Sequence, residues 1–186
     1  RQDLPGIMLS KSMRHYCNRW GVIPGQHISI YTNNDDGWET AKDLTEAGCN
    51  VICIIDQRPD INPPIKNIDY VLGRKIAKAY GNLRISSIKL DNGKIIKTDC
   101  LAVSGGFNPN LHLTCHQRGR PKWNELNHCF IPNNPPKNMS VIGAANGIFN
   151  YQDIFKDSKI KLTKILQNLG HKKVSIEEVK ISNRVY

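Results

Sequence analysis

With 186 residues, 39% of them hydrophobic and 23% charged, the chain has room for one or two domains with a real core. It contains no run of eighteen apolar residues, which excludes a membrane-spanning helix, and Arg1–Gln2–Asp3–Leu4–Pro5–Gly6 is not a signal peptide. The net charge of +10 raises nucleic acid as a partner, but residues 156–186 alone carry eight Lys or Arg against three acids, and no basic stretch is interleaved with aromatics, so neither nucleic acid nor membrane is expected to bind.

The absence of an initiator Met suggests that the chain begins inside a longer protein. Residues 7–20 carry Met8, Leu9, Met13, Tyr16, Cys17 and Trp20 at helical spacing, which predicts an amphipathic helix closed by Gly21. Pro24–Gly25 then turns the chain into an apolar strand, Ile28–Tyr31. The strand ends at a polar turn, Thr32–Asn33–Asn34–Asp35–Asp36–Gly37. A helix from Trp38 to Ala47 follows, capped by Asp35 or Asp36 and closed by Gly48. A second strand, Val51–Ile55, is apolar on both faces, as in a buried parallel sheet, and ends at Asp56 and Arg58.

Strand, turn, helix, strand and terminal acid are the first half of a dinucleotide-binding βαβ unit. The usual G-x-G-x-x-G turn reads Thr32 to Gly37 here, and its two carboxylates cap a helix well but repel a pyrophosphate. The architecture is therefore a firmer inference than a nucleotide at this turn. Asp56 reads either as an acceptor for an adenosine ribose, favouring NAD, or as a turn acid in solvent; Arg58 would favour a 2′-phosphate.

After the loop 60–64, short alternating runs at Tyr70–Leu72, Lys75–Tyr80, Arg84–Leu90 and Lys94–Lys97 predict an antiparallel meander, with Asn92–Gly93 as a two-residue hairpin turn. A last parallel strand, Cys100–Ser104, runs into Gly105, Gly106 and Phe107, where the glycines allow a close ligand approach or a tight exit. Residues 111–138 read as irregular. Met139–Gly147 reads as a short strand entering small residues, Gly143, Ala144, Ala145, Asn146 and Gly147, at the start of a helix that extends to Leu169. The alternating tail (Val174, Ile176, Val179, Ile181) has no assigned place. The fold class is α/β: a Rossmann-like parallel sheet with helices on both faces plus an antiparallel β-meander.

None of the six cysteines forms a C-x-x-C pair, so reduced thiols of a cytoplasmic protein are expected, with Cys53 and Cys100 in the core. His112, Cys115, His116, His128 and Cys129 could ligate a metal but match no familiar zinc spacing. The sequence holds no catalytic triad, paired catalytic carboxylates or metal helix, and no catalytic residue is assigned.

These residues resemble the α subunit of heterotetrameric sarcosine oxidase and its amine-oxidising relatives, over roughly Leu4 to Leu169. The resemblance is carried by Tyr31–Gly37, by Leu4–Leu9 with Arg14, Tyr16, Asn18 and Arg19–Gly21, by Cys100–Pro109, and by Gly143–Gly147. It implies a fold similar to two-nucleotide-domain flavoprotein reductases. Residues 1–25 and 111–186 would then belong to an outer nucleotide-binding domain, and 26–110 to an inserted inner Rossmann-like domain. It also implies NAD in this subunit, FAD and FMN in the full complex, and β, γ and δ subunits as partners.

The implied reaction is oxidative demethylation of sarcosine to glycine, with the methyl carbon passing to tetrahydrofolate and electrons passing to oxygen as hydrogen peroxide. By position, Thr32, Asn33, Asn34, Asp35, Asp36, Gly37, Asp56 and Arg58 would form the inner site. Gly105, Gly106, Phe107, Gly143, Ala144, Ala145 and Gly147 would border the outer one. The chain lacks the family's first G-x-G-x-x-G unit and its folate region, so oxidase activity is not expected of it alone. A scaffold module and a pyridine-nucleotide-dependent reductase are the alternatives.

Overall fold

The computed structural model describes residues 3–116, 118–125 and 127–171; the alternation expected at 174–181 lies outside them. By its internal contacts the chain divides into two compact units, residues 1–106 and 107–185.

The first unit is built on a five-stranded sheet. Its strands are β1 (Ile7–Leu9), β2 (Ile28–Thr32), β3 (Val51–Asp56), β4 (Tyr70–Leu72) and β8 (Cys100–Ser104). The order is β1-β8-β2-β3-β4, and every pairing is parallel. Between β4 and β8 the chain forms a separate antiparallel meander of β5 (Ile76–Gly81), β6 (Ile85–Leu90) and β7 (Ile95–Lys97).

Alternation along the strands assigns the two faces of the sheet. Ile28, Ile30, Ile54, Cys100 and Ala102 pack with Met13 and Cys17 of α1 (Ser10–Trp20) and with Trp38, Ala41 and Leu44 of α2 (Asp35–Glu46). Cys53, Ile55 and Leu101 face the other way and pack with Leu4 and with Ala79, Ile85, Ile88 and Leu90 of the meander. The fold class is the expected one, but the second face is covered by the meander instead of by helices.

Several local expectations are corrected. Residues 7–9 are a strand, because Ile7, Met8 and Leu9 pair with Leu101, Ala102 and Val103, and the helix begins only at Ser10. This pairing places β1 and α1, read above with an outer domain, in the first unit. Gly21 does close α1, at φ 63°, with its N–H bonded to Cys17 O and the Val22 N–H to Tyr16 O. Tyr70–Leu72 joins the parallel sheet beside β3 rather than the meander.

The hairpin loop holds three residues, Asp91–Asn92–Gly93. Leu90 O accepts from Gly93 N–H at 3.0 Å, and Leu90 N–H donates to Lys94 O at 2.8 Å. Gly93 at φ 89° supplies the left-handed residue that this loop requires.

The second unit holds α3 (His112–Cys115), a hairpin of β9 (Lys122–Asn124) and β10 (Cys129–Ile131), and α4 (Tyr151–Asn168). Residues 139–142 are not a strand. The small residues form a four-residue 3-10 turn, Gly143–Asn146, that stops before α4 begins. No helix among the described residues is long and apolar enough to cross a membrane.

Candidate functional site

The end of β2 meets the start of α2 beside the ends of β3 and β8, and there the predicted inner-site residues come together. At each position where a dinucleotide fold uses glycine, this chain has either a side chain with an internal partner or a glycine needed for packing. Thr32 stands first. Its hydroxyl donates to Asn34 O at 2.8 Å and accepts from Asn34 N–H at 3.1 Å, bracing the turn from within.

Asn34 stands second, in extended conformation, and caps the helix, a role expected of Asp35 or Asp36. Its Oδ1 accepts from Asp36 N–H at 3.0 Å and from the Ser104 hydroxyl at 3.1 Å. Its Nδ2 donates to Asn33 Oδ1 at 2.8 Å and to Ser104 O at 3.1 Å. An asparagine amide offers both an acceptor and donors, so one side chain caps α2 and also donates to the Ser104 carbonyl of β8, which aspartate cannot do. Gly37 stands third and is retained for packing, since a Cβ there would lie 2.4 Å from Thr32 Cβ.

The carboxylates of the turn are also engaged. Asp36 accepts from Arg14 Nη1 at 3.3 Å and from the hydroxyls of Ser10 and Ser104, each at 3.4 Å. Arg14 also pairs with Asp43, joining α1 to α2. Asp56 is fully buried. Its Oδ2 accepts from Trp38 Nε1 at 2.8 Å and from Arg58 Nη2 at 2.8 Å. Its Oδ1 accepts from the Arg58 backbone N–H at 2.9 Å and from Arg58 Nε at 3.1 Å. The remaining guanidinium nitrogen of Arg58, Nη1, donates to Asp35 at 2.9 Å. The bond to Asp56 raises the guanidinium pKa above its already high ordinary value; burial opposes this, and the Asp35 bond adds to it.

Asp56 is thus not a turn acid in solvent; it is buried, and its oxygens accept from Trp38 and Arg58 inside the protein. The signal available in the sequence was Arg58 two residues on, close enough to fold back onto the carboxylate.

The outer-site candidates fall in both units, Gly105 and Gly106 in the first and the rest in the second. Gly105 has open space around it, and Gly106, at φ 88°, lies beside the Asn33 and Asn34 side chains. Phe107 falls in the second unit and packs on Phe149 with ring centroids 5.2 Å apart. Gly143 and Gly147 both adopt left-handed φ, and a Cβ on Gly147 would meet Ile131 at 2.6 Å, so local packing accounts for that glycine. Ala144 and Ala145 form the body of the 3-10 turn. The turn does not open α4, whose first N–H groups are capped by Asn150 Oδ1. The small residues therefore do not start a phosphate-facing helix.

Among the described residues no group of three or more His, Cys, Asp or Glu could hold a metal ion. Cys53 and Cys100 are buried, and burial pushes each thiol up to about 11. Cys17 and Cys49 lie together in the core with sulfurs 3.6 Å apart.

No family model matches the sequence. Among solved structures, the chain is similar to L-proline dehydrogenase from P. horikoshii, with a TM-score of 0.65 and 19% identity over 92% of this chain and 32% of that one. It is also similar to the flavoprotein disulfide reductase RclA from Escherichia coli, with a TM-score of 0.64 and 13% identity over 92% and 41% of the two chains. Identities this low speak to the fold alone.

In sequence, it is 33% identical to sarcosine oxidase subunit alpha from Rhizobium meliloti (strain 1021) over 177 residues, 90% of this chain and 17% of the relative. It is 32% identical to the subunit alpha of Corynebacterium sp. (strain U-96) over 164 residues, again 17% of the relative's length. Over 80–90% of its length the chain is similar to one segment of sarcosine oxidase subunit alpha, a segment that spans 17% of those proteins.

Proposed function

We propose that this chain is part of the α subunit of a sarcosine oxidase-like oxidoreductase, and that it contributes nucleotide-fold architecture rather than reacting groups. The observation that carries this reading is the 33% identity to sarcosine oxidase subunit alpha across 90% of the chain, joined to a parallel sheet of the nucleotide-binding type. The complex oxidatively demethylates sarcosine to glycine. The methyl carbon passes to tetrahydrofolate and the electrons to oxygen, giving hydrogen peroxide. NAD belongs to the α subunit, FAD and FMN to the assembled complex, and the partners are its β, γ and δ subunits in the cytoplasm.

Within this chain residues 26–110 are the inserted inner domain, and residues 1–25 and 111–186 belong to the outer one. Gly105, Gly106 and Phe107, and separately Gly143, Ala144, Ala145 and Gly147, are the candidates for NAD contact. The chain's own residues hold and orient the fold. No proton-transfer or nucleophilic group is assigned to them, so substrate oxidation is left to other parts of the complex.

Two measurements test the reading. Calorimetric titration with NAD+ is expected to give saturable heat, and an oxygen electrode with sarcosine is expected to show no consumption by the chain alone. Turnover by the chain alone would refute the assignment of chemistry elsewhere. A second reading, a scaffold that positions other subunits without holding NAD, is favoured by the internally saturated β2–α2 turn. Flat calorimetric heat selects it.

A further inference from the structure

We propose that the β2–α2 turn is a dinucleotide turn rebuilt as an internal lock, which accepts neither NAD nor NADP and instead holds α2 to α1, β3 and β8. This rests on the reading above only in that NAD is the cofactor the fold implies.

A dinucleotide needs three things from such a turn: N–H groups free at the helix start, a bare second glycine so that the pyrophosphate can approach, and a carboxylate free to accept from the ribose. Each is at least partly committed. The Asp36 N–H is bonded to Asn34 Oδ1. The space of the second glycine holds the Asn34 side chain, itself fixed by Ser104 from both its hydroxyl and its carbonyl. Asp35 and Asp36 place negative charge at the helix start, where a pyrophosphate would have to lie. The two oxygens of Asp56 together take four hydrogen bonds from Trp38 and Arg58.

The 2′-phosphate alternative is disfavoured as well, because three of the five guanidinium N–H groups of Arg58, one on each nitrogen, already point at the carboxylates of Asp56 and Asp35, which offset its charge. A ligand would have to break these contacts without offering better ones. Carboxylates thus occupy the anion-favouring end of α2 in place of a ligand, and the third glycine survives because helix and strand must still touch.

The lock ties four elements together. Asn34 and Asp36 reach Ser104 of β8, Asp36 reaches Ser10 and Arg14 of α1, and Trp38 and Asp35 reach β3 and Arg58 beyond it. These contacts do the positioning that a bound nucleotide does in an ordinary dinucleotide fold.

The test is an amide-resolved titration of the 15N-labelled chain with NAD+ and, separately, with NADP+, both to millimolar concentration. The expected result is no saturable shift at Thr32–Gly37 or at Asp56–Arg58. If NAD+ shifts other amides only, both the lock and the functional reading stand. Shifts nowhere leave the lock standing and overturn the assignment of NAD to this chain. Saturable shifts centred on the β2–α2 turn overturn the lock and leave the functional reading intact.

Discussion

The two compact units spend their apolar residues in different ways. Before residue 107 the strands and helices enclose two well-defined clusters, one on each face of the parallel sheet. After it, Pro109 and Cys129 are the buried apolar side chains among those described, and α4 buries none of its eighteen residues. Yet α4 carries Tyr151, Phe155 and Leu162 within one narrow face at helical spacing, continued by Leu169 just past its end, each about half exposed or more. The first unit is a core that can be argued from its own residues. The second leaves that face of α4 uncovered by the described residues.

The comparison can be broken most severely at Asp56. Asp56→Ala leaves the Trp38 indole N–H and much of the Arg58 guanidinium without their buried acceptor. A loss of about 3–5 kcal/mol is expected in urea denaturation followed by Trp38 fluorescence. A loss near zero would mean that the network is not holding the unit.

Gly37→Ala comes next. The added methyl meets Thr32 across β2 and α2, and about 1–3 kcal/mol of destabilisation is expected from forced separation of helix and strand. Asn34→Ala removes the cap of α2 and its ties to Ser104, costing about 1–2 kcal/mol in the same assay.

A smaller effect is expected at Asp99. Burial alone would raise its pKa, but the N–H groups of His27 and Gln26, with the nearby charges of Arg84 and His27, outweigh it and hold the carboxyl below its usual range. Its contribution is therefore present above the unfolded-state pKa of about 4 and is lost as pH falls through the lower folded value. Urea midpoints measured across the acid range are expected to fall more steeply for the wild type than for Asp99→Asn. The smallest effect sharpens the contrast between units: Leu162→Ser on α4 is expected to change the stability of this chain by no more than about 0.5 kcal/mol. A loss of several times that would show α4 to be packed within the chain.

Much of the first unit was legible from its residues. Val51–Ile55 was readable as a buried parallel strand because it is apolar on both faces, and Ile28–Tyr31 and Cys100–Ser104 were readable as strands from their apolar runs beside turn signals. The meander was readable from period-two alternation and from Asn92–Gly93. Tyr70–Leu72 misled because a three-residue run carries too little pattern to separate a parallel edge from a meander strand. Residues 7–9 misled because Met8 and Leu9 also fit the helical spacing of the residues after them. At the site, the acid beyond β3 was found by its spacing. Its commitment to Trp38, eighteen positions earlier, and to Arg58 was not readable, since both are contacts that only the folded chain creates. Cap identity was missed for a similar reason: Asn34, Asp35 and Asp36 are all good caps, and Ser104 decides among them from seventy residues away.

By itself the sequence determined the alternating layer, the position of its turn and the presence of Thr32 and Asn34 where glycines usually stand, with two carboxylates beside them, because periodicity and turn chemistry are local properties of a chain. Only the tertiary structure decided that the turn is closed. Whether an acid faces a ligand or an arginine depends on which distant side chains converge on it, and that convergence is fixed by the packing of β2, β3 and β8 beneath two helices.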